Sequence, residues 1–150
     1  MSRFQWAVLA LVLFWTSRGI TQDSAGVRTP VTALATVPGD LLLVGSASGL
    51  LVYNMHAVEP EPSGLRIKTR LTEIQAIAFS PDGRLLAVAG GTPAEAGILE
   101  LFDWSSSPKK EPVLLQRVES HSDVITDVAW SSSGKRLVTC SLDATWQVFE

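Results

Sequence analysis

The sequence predicts an all-β chain built from repeated antiparallel modules, and three observations lead there. Apolar residues make up 46% of the 150 residues and charged residues 18%, so the composition is that of a globular chain able to bury one ordinary core. Short Leu-rich and β-branched runs are cut by Gly, Pro and Ser clusters, the punctuation of strands joined by turns. Above all, one pattern recurs three times along the chain.

The clearest pair is "EIQAIAFSPDGRLLAVAG" (Glu73–Gly90) and "VITDVAWSSSGKRLVTCS" (Val124–Ser141). Ile74, Ile77, Phe79, Ser80, Gly83, Leu86 and Gly90 match Ile125, Val128, Trp130, Ser131, Gly134, Leu137 and Ser141, each pair 51 positions apart with no gap. An earlier copy, "VTALATVPGDLLLVGSASGLLVYN" (Val31–Asn54), precedes the second by about 43 positions and has a central turn one residue shorter. The longer step between the later copies reflects "GGTPAEAG" (Gly90–Gly97) and "SSSPKKEP" (Ser105–Pro112), which enlarge two loops.

Each copy reads as three strands in succession. In the second, Ile74–Ser80 meets a Pro81-Asp82-Gly83 turn, Leu85–Ala89 runs back, and Ile98–Trp104 alternates Leu99 and Leu101 with polar residues. A fourth, more polar strand follows each complete copy, Leu65–Leu71 after the first and Val113–Glu119 after the second, as suits an edge strand with one solvated face. Four antiparallel strands at this period make one propeller blade. The fold class is therefore a partial β-propeller of two blades plus three strands of a third, with blades at about 31–71, 74–119 and 124–150.

The third copy, "HSDVITDVAWSSSGKRLVTCSLDATWQVFE", resembles a WD-repeat of the β-propeller family. The likeness rests on the His before the first strand, "VAWS" within it, Gly in the following turn, Ser-x-Asp-x-Thr in the next turn and an aromatic-acid close. It covers nearly all of 31–150 and fades toward the first copy. The family's Gly-His dipeptide is here Ser120-His121, and its closing Trp-Asp is Phe149-Glu150, Phe102-Asp103 or Tyr53-Asn54. The resemblance implies a structural hydrogen-bond network of His121, Thr139 and Asp143, with Phe149 in the place of an indole donor.

Strand order alone supports such a network, because His121 precedes one strand and Asp143 follows its neighbour, which brings both to the same end of an antiparallel sheet. Asp143 can then hold one imidazole nitrogen and the Thr139 hydroxyl the other. A hydrolase reading would make Thr139 or Ser141 the nucleophile, His121 the base and Asp143 its orienter. No G-x-S-x-G elbow or donor-rich loop accompanies them, so the residues read as scaffolding and no catalytic residue is assigned. Cys140 is alone and reads as a small buried hydrophobe, with an intermolecular disulfide as the alternative. His56, Glu59, Glu61 and Asp123 read as solvated, and no haem, phosphate-binding or calcium motif appears, so no cofactor or metal is expected.

The N-terminus differs from the rest. Arg3 precedes an unbroken apolar run from Trp6 to Trp15, then small polar residues, the layout of a secretory signal peptide cleaved after Gly19, with 20–30 as a linker. An uncleaved anchor is the alternative, although the run is shorter than the roughly 20 residues a spanning helix needs. Without Arg3 and Arg18, 10 basic side chains stand against 15 acidic ones, a formal charge of −5, which argues against a nucleic-acid partner. The chain is thus expected to be an exported, non-catalytic interaction scaffold with a protein partner and no membrane span after cleavage. Its surfaces would be Gly90–Gly97 and the loops Pro60–Ser63 and Ser105–Pro112. The alternative is the propeller portion of a secreted or periplasmic enzyme whose catalytic domain lies beyond residue 150. Propellers close with four to eight blades, so further blades of the same protein, a truncated chain or assembly of copies would complete this one.

Overall fold

A computed structural model describes residues 29–37, 40–56, 61–104 and 111–150. The expected signal peptide, residues 20–28 of the linker, Glu59 and most of Ser105–Pro112 lie outside these. Eleven strands form three antiparallel sheets in chain order. The first holds β1 (Val31–Val37), β2 (Leu41–Ser46), β3 (Gly49–Asn54) and β4 (Glu61–Ile67). The second holds β5 (Glu73–Phe79), β6 (Leu85–Thr92), β7 (Ala96–Asp103) and β8 (Val113–His121). The third holds β9 (Ile125–Trp130), β10 (Leu137–Ser141) and β11 (Trp146–Phe149). The architecture is all-β, with sheets of four, four and three strands.

The repeat is visible in the turn chemistry. Between β5 and β6 the Gly83 amide donates to the Ser80 carbonyl at 2.8 Å, and the Leu85 amide donates to Ser80 Oγ at 2.9 Å. Between β9 and β10 the residues 51 positions on do the same: Gly134 to the Ser131 carbonyl at 2.9 Å, and Arg136 to Ser131 Oγ at 3.0 Å. Both glycines sit at positive φ, 70° and 69°, where a side chain would be strained.

Sheets pack face to face through the middle one. On β6, Leu86 and Val88 enter a cluster with Leu43, Leu50, Val52 and Ile67 of the first sheet. Ala87 and Ala89 turn the other way, toward Ile125, Val128 and Leu137 of the third. Alternation along one strand thus serves two cores at once, and the small alanines let β9 approach closely. The Trp130 indole N–H reaches across to the Ala78 carbonyl at 3.3 Å, and the Thr32 hydroxyl makes the corresponding reach to the Ile74 carbonyl.

Two expectations need correction. The fourth strand of the first sheet is β4, Glu61–Ile67, rather than Leu65–Leu71, because β3 pairs Leu50 with Ile67 and Tyr53 with Pro62. Most of Pro60–Ser63 is therefore strand rather than loop, and Pro62 is tolerated there because β4 is an edge. "GGTPAEAG" is likewise a hairpin whose ladder runs to Thr92 and Ala96, leaving only Pro93–Glu95 as its tip.

Glu100, a polar residue of an alternating strand, is completely buried. Its face of β7 is covered by the first sheet, so the carboxylate is held by bonds rather than by water. Arg117 Nη1, on the paired position of β8, lies 3.2 Å from Glu100 Oε1, and the Arg70 amide donates to Oε1 and Oε2 at 3.2 and 3.4 Å. Arg117→Ala strips the charge partner from a fully buried carboxylate, and with the arginine a third exposed the expected loss is about 2–4 kcal/mol. Glu100→Gln in the same background recovers part of it. Urea midpoints check both, and a single variant within about 0.5 kcal/mol of the parent defeats the assignment of a buried pair.

Candidate functional site

The polar side chains concentrate where the middle sheet meets the third. His121 ends β8, Thr139 lies on the inward face of β10, and Asp143 sits in the turn between β10 and β11. Nε2 of His121 is 2.8 Å from Thr139 Oγ1, and Nδ1 is 3.1 Å from Asp143 Oδ2 and 2.9 Å from Thr145 Oγ1. An ionised carboxylate only accepts, so Nδ1 carries the ring proton and Nε2 accepts from the Thr139 hydroxyl. Thr145 donates its own hydroxyl to Asp143 Oδ1 at 2.6 Å and its amide to the same oxygen at 2.9 Å. The Ser122 amide completes the carboxylate shell at 3.0 Å. The imidazole nitrogens, the Thr139 and Thr145 hydroxyls and the Asp143 carboxylate are thus all paired, with the Nδ1 proton shared between Asp143 Oδ2 and Thr145 Oγ1.

The carboxylate is consequently much more acidic than an ordinary one. The Thr145 hydroxyl lowers its pKa most, burial opposes the shift, and the Thr145 and Ser122 amides and His121 lower it further, leaving Asp143 well below the usual carboxylate range.

The arrangement braces the sheet and offers no approach to a substrate. The His121 ring is closed to solvent, Thr139 is 1% exposed, and its hydroxyl proton is committed to Nε2. Ser141, the other hydroxyl in the stretch, donates to the Asp123 carbonyl at 2.9 Å and accepts from the Asp143 amide. Phe149 joins an apolar cluster with Leu137 and Trp130.

Sequence reasoning missed two participants. Thr145 was legible as part of the Ser-x-Asp-x-Thr turn. Gln147, whose side-chain amide donates to the Ser120 carbonyl, carried no signal. Ser120 itself, in the place of a family glycine, has a buried Oγ without a hydrogen-bond partner.

Other expected positions differ from their reading. Cys140 is exposed rather than buried, because it shares with Val138 the face of β10 that no sheet among the described residues covers. Its Sγ lies 3.4 Å from the Thr126 hydroxyl. Asp123 is structural as well as solvated: Oδ1 accepts from the Val124 amide at 2.7 Å and from the Ala94 amide, at the tip of the β6–β7 hairpin, at 2.9 Å. His56 is exposed, with an acidic partner that spacing did not show, Asp40 Oδ2 at 3.2 Å from Nδ1. Among the described residues no three His, Cys, Asp or Glu side chains gather as a metal site would require.

Two predictions follow from the corner's chemistry. Thr139→Val leaves a buried imidazole nitrogen unpaired and costs about 1–3 kcal/mol, whereas Ser120→Ala removes a hydroxyl that bonds nothing and is neutral or stabilising by about 1 kcal/mol, both read from urea midpoints. The second concerns acid. A carboxyl more acidic in the folded than in the unfolded chain stabilises fully above about pH 4, the unfolded value, and that contribution disappears as the pH falls below it. Asp143→Asn should therefore be less stable than the parent at pH 7 and lose less stability between pH 4 and 2.5. Parallel curves for the two proteins would defeat this role.

Residues 112–150 match the family model of the WD domain, G-beta repeat. The chain is 27% identical over 136 residues to the WD repeat-containing protein VIP3 of Arabidopsis thaliana, covering 87% of this chain and 42% of that protein. It is 31% identical over 96 residues to telomerase protein component 1 of Rattus norvegicus, covering 63% of this chain and 3% of that one. A solved structure, Chaetomium thermophilum Sqt1 bound to the N-terminus of the ribosomal protein L10, superposes with a TM-score of 0.62 at 24% identity. It covers 79% of this chain and 32% of that one. The chain thus spans less than half the length of each of these proteins, and its likeness, carried by the family match over residues 112–150 and by the fold, is to the WD-repeat β-propeller family.

Proposed function

We propose that this propeller segment is a non-catalytic interaction platform, acting outside the cytoplasm, that holds a protein partner at the hairpin tip Pro93–Glu95 and the turns beside it. The observation that carries the reading is how the polar residues are used. The one His-Thr-Asp constellation among the described residues is closed and internally satisfied, while Pro93, Ala94 and Glu95 are exposed on a backbone fixed by Asp123. A rigid tip presented by a braced sheet suits recognition rather than turnover. The bound N-terminus of a ribosomal protein on Sqt1 supports a protein segment as the kind of ligand. Export rests on the basic start and apolar run of residues 1–19, which suit a cleaved signal.

Selection of peptides on the 150-residue chain from a display library tests the platform. Pro93→Asp and Glu95→Lys should weaken the selected peptides at least tenfold without changing the urea midpoint, and indifference removes the tip from the binding surface. A hydroxyl-reactive fluorophosphonate should leave Thr139 unlabelled, since stoichiometric labelling would make the corner an active site. Residues 1–28 fused to a reporter should direct its export with cleavage after Gly19; retention of the uncleaved fusion would overturn the localisation.

A further inference from the structure

The run Leu65–Leu71 leaves one face in the core and sets another outward. Ile67 is buried and Leu65 and Leu71 pack against the cluster shared by the first two sheets, while Arg66, Lys68 and Arg70 are exposed. Three exposed cations therefore stand at alternate positions, Arg66 on β4 and Lys68 and Arg70 in the segment that leads from it to β5. None of them has a salt bridge among the described residues.

The row is also held in place. The Arg70 amide donates to the buried Glu100 carboxylate, and the Arg70 carbonyl accepts from Arg117 Nη1 at 3.3 Å. Both backbone groups of the last cation are fixed by an ion pair beneath it, so displaying the side chain costs little ordering. β4 pairs with β3 alone and has a free edge beside Arg66.

We propose that Arg66, Lys68 and Arg70 form a second docking surface, at the rim of the first sheet, for an extended protein segment with carboxylates at alternate positions. Such a segment matches the cations in charge and in its one-in-two sequence pattern, and the edge of β4 beside Arg66 offers main-chain bonds to a peptide. No aromatic side chain is interleaved with the row to stack a base, which favours an acidic peptide over a single-stranded nucleic acid. The inference rests on the platform reading but uses a different surface. Charged residues on edge strands also guard against self-pairing, and the two roles separate by experiment.

Fluorescence anisotropy with a labelled ten-residue Asp-Ser repeat, and with oligothymidylate of equal charge, tests it on the full 150-residue chain. The peptide should bind, weaken at least tenfold between 50 and 500 mM salt, and weaken at least tenfold in the Arg66→Gln, Lys68→Gln, Arg70→Gln triple variant, with unchanged melting. The corresponding triple change to Glu should bind a Lys-Ser repeat instead. Absence of peptide binding, or binding untouched by the triple variant, overturns the proposal. Tighter binding of oligothymidylate overturns the choice of partner. Self-association of the triple variant with peptide binding unchanged makes the row an edge guard. If the Asp-Ser peptide fails while display-selected peptides still depend on Pro93 and Glu95, the platform stands and only the rim surface falls.

Discussion

Both faces of β6, at the heart of the middle sheet, must be dry at once, and the rest of the structure follows from that constraint. β6 meets it with an alternation of size rather than of polarity: Leu86 and Val88 pack toward the first sheet, and Ala87 and Ala89 toward the third. A polar residue on either face must then bring its own partner, since water is absent from both. Glu100 on β7, and Thr139 on the face that the third sheet turns toward the middle one, are two such buried residues, and each is the centre of a bonding cluster.

These clusters occupy corresponding places. Thr139 pairs with Gln147 across β10 and β11, as Val88 pairs with Glu100 across β6 and β7. Gln147 reaches back to the Ser120 carbonyl, and Glu100 reaches back to the Arg70 amide, 51 positions before His121. In both sheets a polar side chain on the third strand ties down the connection that leads in from the preceding sheet. The third sheet adds the His-Thr-Asp corner to this tie. The second has Arg70 and Val88 where the third has His121 and Thr139, and substitutes an ion pair. Two chemistries thus perform one mechanical task, fixing how each sheet follows its predecessor.

The strands and turns were legible because they repeat. A gap-free 51-residue register carries the Ser80 and Ser131 turns and the inward apolar positions in one comparison, and the family resemblance carries His121. The ties were not legible, because alternation assigns every second residue of a strand to solvent, and Glu100 and Gln147 obey the alternation while facing a neighbouring sheet. His56 and Asp40 escaped for a related reason. They meet only when the ladder of β2 and β3 brings Leu41 opposite Asn54, and nothing in their local spacing shows it.

Cys140 shows where a repeat argument depends on context. It lies 51 positions after Ala89, and Val138 lies 51 after Ala87; both alanines are completely buried. Expecting Cys140 to be buried was therefore sound for its place in the module, since the same face of the middle sheet is covered by the third. The outer face of the third sheet has no such cover among the described residues, and Val138, Trp146 and Val148 are exposed beside Cys140, Trp146 at 69%. Residue type follows the module, whereas accessibility follows the neighbour. A side chain in a stacked array is consequently not hydrophobic for its own sheet alone: its burial is a property of the pair, and a sequence reading can assign it only where both members of the pair are in view.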